Sequence, residues 1–165
     1  AVTEGLDCRI VLEPGRVIVG NAGILLARVI YVKETEERRF IIVDAAMNDL
    51  VRPAMYGAQH AIAAVAQPTA DVPFEPADVV GPVCESGDTF ATQMPLPPLS
   101  AGDLIAFRSA GAYGAVMAST YNGRLLVPEV LIDGERWAEV RPRMEYETLL
   151  GLDCLPDWLQ EGTTP

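Results

Sequence analysis

The chain has 165 residues, a formal net charge of −11 and 50% hydrophobic residues, which fits one globular domain with a core of ordinary size. Only 12 residues are basic, and they are scattered along the chain, so the composition argues against nucleic acid or an anionic membrane as a partner. No stretch has the roughly 18 apolar residues of a membrane span, and residues 1–10 do not resemble a signal peptide; a cytoplasmic location is expected.

Short apolar runs separated by turn residues predict a mainly β domain, a sandwich or barrel with a few short helices. The runs lie at residues 9–12, 24–32, 40–43, 78–83, 104–107, 130–132 and 137–140. The charged residues 33–39 predict a solvated hairpin end, and Asp133-Gly134 predicts a tight hairpin between the last two runs.

Helical segments are fewer. Residues 111–122 are rich in Ala and Met between glycines and predict one helix. Pro142, followed by Glu145 and Glu147, predicts the first turn of a short C-terminal helix. The Pro-rich stretches 67–76 and 94–98 are expected to be long surface loops.

Residue counts exclude several kinds of site. The three cysteines, Cys8, Cys84 and Cys154, are far apart, which indicates reduced thiols and no metal site. The single histidine, His60, has no second histidine for a metal pair and is interpreted as structural. The single lysine, Lys33, lies among carboxylates that keep it protonated. Chemistry that needs a covalently bound lysine would therefore take it from elsewhere.

Four segments place charged, hydroxyl or thiol groups beside Gly or Pro, as functional loops on a rigid scaffold do. They are residues 13–16, 48–56, 81–88 and 110–114. Glu13 and Arg16 could hold the charged ends of an anionic ligand. In the next segment, Arg52 and Tyr56 are four residues apart and would share one face of a helix, where they could bind a carboxylate. A strand-ending turn and a solvated arginine remain the alternatives.

The last two segments also allow two interpretations each. Cys84 and Glu85 lie on a constrained turn, where the thiol could act as an acid or a nucleophile, or could simply be a small buried residue. A nucleophile pair of Cys84 with His60 is not supported by any local orienting group. Tyr113 lies between two glycines at a predicted helix start that could attract a phosphate, or at an ordinary tight turn.

Together these segments resemble the diaminopimelate decarboxylases, fold type III pyridoxal-phosphate enzymes. The matching stretches are EPGR at 13–16, VGNAG at 19–23, VDAAMNDL at 43–50, RPAMY at 52–56, GPVCESGD at 81–88, GAYG at 111–114 and EVLIDG at 129–134. The resemblance covers about residues 9–150. Residues 121–126 depart from the usual wording of the family, which leaves the role of that loop open.

The resemblance implies that the chain is the C-terminal part of such an enzyme. A complete (β/α)₈ barrel takes roughly 250 residues, so the N-terminal barrel that carries the cofactor lysine has no room here. Residues 1–23 would be the end of the barrel domain, residues 24–151 the C-terminal β domain, and residues 152–165 a tail. The chain alone would be inert, and the barrel would be supplied in cis or in trans.

The implied cofactor is pyridoxal 5'-phosphate, contacted by Glu13, Pro14, Gly15, Arg16 and Tyr113. Glu13 matches the carboxylate that pairs with the pyridine nitrogen, whose protonation makes the ring an electron sink. Gly15 and Arg16 match residues at the cofactor phosphate. Tyr113 matches a residue that touches both phosphate and substrate.

The implied substrate is meso-2,6-diaminopimelate, converted to L-lysine and carbon dioxide. Its ligands would be Arg16, Arg52, Tyr56, Glu85 and Tyr113. Arg52 would hold the distal carboxylate and Glu85 the distal ammonium, each through a charge-assisted contact of roughly 1.5–3 kcal/mol.

Cys84 matches the acid that returns a proton after carbon dioxide leaves. Because Cys84 and Glu85 reach the neighbouring subunit's site in this family, the resemblance implies a homodimer with shared active sites. Two alternatives remain open at the level of sequence. One is a free-standing, non-catalytic binding or regulatory module, and the other is one half of a split decarboxylase.

Overall fold

A six-stranded sheet forms the centre of the computed structural model, which describes residues 4–5 and 7–160. Its strands are β1 (Leu25–Glu34), β2 (Arg39–Val43), β3 (Ile62–Ala64), β4 (Glu75–Val80), β5 (Thr89–Leu96) and β6 (Leu104–Phe107). Their order across the sheet is β3-β6-β1-β2-β4-β5. Neighbouring strands are antiparallel, apart from the parallel pair β2–β4. The predicted mainly β fold is confirmed.

The sheet curls so that its two ends approach each other. Phe90 of β5 and Phe107 of β6 have ring centroids 4.5 Å apart, although these strands are separated by three others in the sheet. Alternate residues of β1 and β2 point into the enclosed space; Val29 and Ile41 are completely or almost completely buried there. The result is a nearly closed, barrel-like sheet around one apolar core.

A separate hairpin and three short helices complete the described chain. Strands β7 (Glu129–Asp133) and β8 (Arg136–Arg141) pair across the predicted tight turn, where Gly134 has φ +62°. The helices are α1 (Arg52–Tyr56), α2 (Tyr146–Leu150) and α3 (Asp157–Gln160). Helix α2 confirms the expected C-terminal helix, with its start at Tyr146. None of these helices is long and apolar enough to cross a bilayer.

Several predicted elements were wrong. Residues 9–12 form no strand. The loop expected at 67–76 is confirmed up to residue 74, where β4 follows, whereas the one expected at 94–98 begins with the end of β5. Residues 111–122 form two 3-10 turns, Ala115–Met117 and Tyr121–Gly123, and no α-helix. The helix is interrupted because Tyr113 and Asn122 have φ values of +58° and +56°, outside the right-handed helical region.

Candidate active site

The crossing of two glycine-containing segments builds the site. The N–H of Gly111 donates to the carbonyl of Gly20 (3.0 Å), and the N–H of Ala110 donates to the carbonyl of Gly23 (2.9 Å). The Ser109 hydroxyl donates to Asn21 Oδ1 at 2.7 Å. A Cβ on Gly23 would lie 2.6 Å from the Gly111 Cα, so the backbones cross at a distance only glycine permits. The segment before residue 23 is thereby held against the loop after β6.

This crossing brings residues 13–16 next to Tyr113. The Tyr113 hydroxyl lies 3.5 Å from the position that a Cβ on Gly15 would occupy. Tyr113 adopts the left-handed conformation (φ +58°), which is uncommon for a residue with a large side chain and occurs often at functional sites. Two of the residues that the sequence assigned to the cofactor are therefore neighbours in the fold.

Helix α1 adds Arg52 and Tyr56 to the same cluster. Pro53 lies in the first turn of the helix, where proline is favoured, and Gly57 ends the helix with φ +61°. The Arg52 guanidinium carbon is 5.5 Å from the Tyr113 ring centroid and 5.7 Å from that of Tyr56. Both distances are within cation–π range, so the guanidinium contacts two aromatic rings.

An open cavity of about 550 Å³ lies beside this cluster. Arg16 and Arg52 both line it, with Asn21, Gln59, His60 and Ser109 among the other residues of its wall. Among the described residues, none of those that line it is a carboxylate, although the whole chain carries a net charge of −11. Two guanidinium groups in one cavity favour a ligand with carboxylate or phosphate groups.

Cys84 and Glu85 lie elsewhere, on the turn between β4 and β5. Both are exposed and neither lines the cavity. Glu85 Oε1 accepts hydrogen bonds from the Gly87 N–H (3.0 Å) and the Ser86 hydroxyl (3.3 Å). A Cβ on Gly87 would be 3.8 Å from the Ala54 Cβ, so the turn packs against α1. The structure thus forms two groups of candidate residues, the arginine–tyrosine cluster and the Cys84–Glu85 turn.

Glu13 and Lys33 are both exposed to solvent. Glu13 directly precedes the turn that approaches Tyr113, whereas Lys33 lies at the end of β1. The nearby turn closes with a hydrogen bond from the Thr35 N–H to the Arg38 carbonyl at 2.9 Å. This confirms the predicted hairpin end and places the one lysine of the sequence outside the cavity wall.

Two buried carboxylates near the site were missed by the sequence reasoning. Asp49 accepts a hydrogen bond from the Ala46 N–H at 2.9 Å. The Arg124 Nη2 atom lies 3.7 Å from Asp49 Oδ2. Burial raises the pKa of Asp49, against the opposing effects of the Ala46 N–H and Arg124. Asp88 accepts backbone hydrogen bonds from two separate segments. Asp49 and Asp88 both lie inside candidate segments, 48–56 and 81–88. Nothing in the local sequence distinguishes them from exposed carboxylates.

His60 has the structural setting that the sequence suggested. It is 6% exposed, and its Nδ1–H donates to the Arg108 carbonyl at 2.9 Å. This bond ties the chain after α1 to the end of β6. Within residues 4–5 and 7–160, no three His, Cys, Asp or Glu side chains come close enough together to hold a metal ion.

Curated relatives align with almost the whole chain. The diaminopimelate decarboxylase of Zymomonas mobilis is 51% identical over 158 residues, covering 96% of this chain and 37% of that protein. The enzyme of the same name from Pseudomonas aeruginosa is 54% identical over 152 residues, covering 92% and 36%. The chain thus spans little more than a third of the length of these relatives.

Solved structures show the same fold. The crystal structure of diaminopimelate decarboxylase from Helicobacter pylori complexed with L-lysine matches with a TM-score of 0.80 at 45% identity, over 90% of this chain and 36% of that one. The M. jannaschii enzyme in co-complex with L-lysine gives 0.83 at 37% identity, over 89% and 33%. A viral arginine decarboxylase shares the fold at 22% identity, with a TM-score of 0.63.

Residues 11–111 match the family described as pyridoxal-dependent decarboxylase, C-terminal sheet domain. The matched range includes all six strands of the curled sheet, the crossing of residues 19–23 with 109–111, and helix α1. It ends just before Tyr113, which lies in the part aligned with the full-length relatives. The chain therefore belongs to the pyridoxal-dependent decarboxylases and contains their C-terminal sheet domain.

Proposed function

We propose that this chain is the C-terminal portion of a decarboxylase that converts meso-2,6-diaminopimelate to L-lysine and carbon dioxide. The observation that carries the proposal is the presence of Arg16 and Arg52 in one cavity, with no carboxylate among the lining residues that the structure describes. Diaminopimelate has a carboxylate at each end, and a second guanidinium gives the unreacted end a partner. The names of the curated relatives and the lysine-bound structures of related enzymes support this substrate class.

Arg52 is proposed to bind the carboxylate of the end that does not react. Its guanidinium contacts the rings of both Tyr56 and Tyr113, so less side-chain freedom is lost when the substrate binds. Tyr56 would donate its hydroxyl to the same end of the substrate. Arg16, which lines the same cavity, would bind a second anionic group, either a substrate carboxylate or the cofactor phosphate.

The proposed cofactor is pyridoxal 5'-phosphate, held by Glu13, Pro14, Gly15, Arg16 and Tyr113. The fit is supported by the open side of Gly15, where the Tyr113 hydroxyl lies 3.5 Å from a built Cβ. A phosphate could accept hydrogen bonds from that hydroxyl and from the Arg16 guanidinium. When bound, the cofactor supplies an electron sink for cleavage of the carbon–carbon bond.

Cys84 and Glu85 are proposed to serve the active site of a second copy of the chain. Glu85 would bind the distal ammonium of the substrate, and the Cys84 thiol would return a proton to the carbon that loses carbon dioxide. Their exposure and their absence from the cavity wall support a role at a neighbouring site. A homodimer with two shared sites follows from this assignment.

The lysine that binds the cofactor is proposed to come from an N-terminal barrel, in cis or in trans. Lys33 lies outside the cavity, so this chain alone would be inert. We propose residues 1–23 as the end of the barrel domain, 24–151 as the β domain and 152–165 as a tail. Of these, residues 1–3, 6 and 161–165 lie outside the described residues. Exposed apolar side chains at Ile10 and Leu12 (56% and 81%) support contact of the first segment with another domain.

We propose that the enzyme works in the cytoplasm. The support is chemical: Cys8, Cys84 and Cys154 are all free and exposed. Exposed thiols of this kind persist in reducing compartments.

The first test is the intact mass of the product of the native gene, followed by an assay of that product with pyridoxal phosphate and meso-diaminopimelate. A mass above 17.8 kDa with release of lysine and carbon dioxide is the expected result. A mass of 17.8 kDa would favour a split enzyme or a non-catalytic module. A larger product that does not form lysine would contradict the proposed reaction.

A further inference from the structure

We propose that Asp88 is a positioning residue that fixes the Cys84–Glu85 turn relative to helix α1. The roles of Cys84 and Glu85 in this inference rest on the proposed function, whereas the attachment itself rests on geometry. Asp88 is 3% exposed. No role in substrate or cofactor binding accounts for a carboxylate buried at this point.

The Asp88 carboxylate joins two segments that are far apart in sequence. Its Oδ2 accepts a hydrogen bond from the Val83 N–H at 2.8 Å, inside the turn. Its Oδ1 accepts one from the Met47 N–H at 2.6 Å, in the buried segment that leads into α1. Each oxygen therefore holds one side of the junction.

The backbone of the turn is organised around the same residue. The Gly81 N–H donates to the Asp88 carbonyl (2.9 Å), and the Asp88 N–H donates to the Glu85 carbonyl (3.0 Å). A Cβ on Gly81 would overlap the Asp88 carboxylate, so Gly81 leaves the space that the carboxylate fills. Cys84 and Glu85 lie inside a loop from Gly81 to Asp88, and the hydrogen bond between these two end residues closes it.

The segment that contains Met47 leads directly into α1 and so determines where the helix lies. Met47 is followed by Asp49, whose carboxylate accepts the Ala46 N–H, and by Leu50, which is 1% exposed. Arg52 begins the helix two residues later. Gly87 packs beside Ala54, so the turn contacts the chain both before α1 and on it. Asp88 thereby sets the distance between the Cys84–Glu85 turn and the helix that carries Arg52.

Substitution of Asp88 by Asn tests this role with little change in volume. The side-chain amide has one oxygen in place of two, so it can accept from Val83 or Met47 but not from both. The side-chain NH₂ group would then face the other backbone N–H, and two donors cannot form a hydrogen bond. We expect the junction to open on one side while the sheet core stays packed. The matched control is Asp103→Asn, since Asp103 accepts the Ser100 N–H at 2.7 Å in an exposed turn before β6.

The first experiment measures amide hydrogen exchange on the full product of the native gene. In the wild type, the amides of Met47 and Val83 should both be protected. In Asp88→Asn, at least one of them should exchange about tenfold faster, with no change in the core strands. Free exchange of either amide in the wild type would overturn the proposal, even if the variant fails to fold. Equal exchange in wild type and Asp88→Asn would also overturn it.

The second experiment is a kinetic double-mutant cycle with Cys84→Ala. Misplacement of the thiol should lower kcat about tenfold in Asp88→Asn, whereas Asp103→Asn should keep the wild-type kcat. In the double variant, the loss should equal that of Cys84→Ala alone, because Asp88 acts through the turn. Losses that multiply would show that Asp88 does not act through Cys84. A wild-type product without decarboxylase activity would refute the proposed function, while the exchange pattern would still decide the attachment.

Discussion

Arg52 lies at the half-buried start of α1 and lines the cavity. Its guanidinium also contacts two tyrosine rings, those of Tyr56 and Tyr113. In the complete enzyme, Arg52→Ala should raise the KM for diaminopimelate about 10- to 100-fold, the effect of losing one charge-assisted contact. The affinity for pyridoxal phosphate, followed by absorbance, should change far less.

A matched control for Arg52→Ala is Arg136→Ala. Arg136 carries the same charge, is 84% exposed and pairs with Asp133 on the β7–β8 hairpin. This control should leave both KM and cofactor affinity at the wild-type level. Equal losses of substrate and cofactor affinity in Arg52→Ala would show that the residue holds the cluster together and does not bind the distal carboxylate.

Asp49 gives the molecule a pH-dependent contribution to stability. Burial raises its pKa in the folded state, so the folded chain holds the proton at pH values where the unfolded chain has lost it. The stabilising contribution is complete below the pKa of the unfolded state, 3.8. It is lost as the pH rises through the folded pKa.

The expected result of Asp49→Asn follows from the direction in which this stabilising contribution changes with pH. The free energy of unfolding of the wild type, minus that of the variant, should be largest at acid pH and should fall as the pH rises above 3.8. Denaturant unfolding of both proteins across this range measures the difference. A difference that rises with pH would mean that the ion pair with Arg124, and not burial, dominates at Asp49.

At the level of elements, regular apolar runs predicted strands well and mixed ones did not. Strands β1, β2 and β6 coincide with apolar runs, and Asp133-Gly134 fixed the position of the separate hairpin. Strand β5 was missed because Gln93 and Pro95 interrupt its pattern, although Phe90 and Leu96 are buried. Strand β3 has only three residues, too few for a periodicity.

The candidate site, too, could be predicted from the sequence only where local motifs carry it. Motif resemblance singled out Gly15, Arg52 and Tyr113, and the fold brings these three together. It did not reveal Asp88 as a connection between two segments, because hydrogen bonds over 41 residues leave no local pattern. The helix predicted near Tyr113 rested on composition, and an alanine-rich stretch does not show that the backbone must cross residues 19–23 there.

The glycine crossing should be the least tolerant element of the site. A Cβ on Gly111 would overlap the Val19 carbonyl oxygen and lie 2.7 Å from the Gly23 nitrogen. Because both neighbours are backbone atoms, Gly111→Ala should lower the free energy of unfolding by about 1–3 kcal/mol or more. The same change should separate Gly15 from Tyr113 and weaken cofactor binding in the complete enzyme.

Gly20→Ala is the control in the same crossing. A Cβ on Gly20 would meet only the Cβ atoms of Arg16 and Ala112, at 3.7 and 3.9 Å, which is ordinary packing distance. Its free energy of unfolding should stay within about 1 kcal/mol of the wild type. Denaturant unfolding of the two variants compares them directly. Equal stability of both variants would show that the crossing has room for a Cβ at residue 111 and would contradict the prediction.

At the scale of the whole molecule, the β7–β8 hairpin is an apolar surface without cover from the described residues. Ile132 and Trp137 are cross-strand partners on one face, 71% and 73% exposed, and Leu131 on the other face is 62% exposed. Apolar surface of this kind marks a contact with another chain or domain. The chain produced alone should therefore self-associate.

Sedimentation velocity over a range of concentrations tests this expectation. The double variant Ile132→Ser/Trp137→Ser should shift the population toward the monomer, because it removes the larger apolar groups from one face. Val116→Ser is the control, since Val116 is 80% exposed but lies outside the hairpin. A wild-type chain that stays monomeric at high concentration would contradict the prediction.

Under the proposed function, the chain alone is a half-site, because its one lysine lies outside the cavity that the arginines line. Lys33 is beside the β1–β2 turn, whereas Arg16 and Arg52 line the cavity. The isolated chain, given pyridoxal phosphate and meso-diaminopimelate, should therefore form no lysine above the rate of a Lys33→Ala control. Addition of a barrel domain from a relative should produce activity that depends on Arg52. Equal turnover by the isolated chain and the complete enzyme would show that this half-site is sufficient, and loss of that turnover in Lys33→Ala would identify Lys33 as the cofactor lysine.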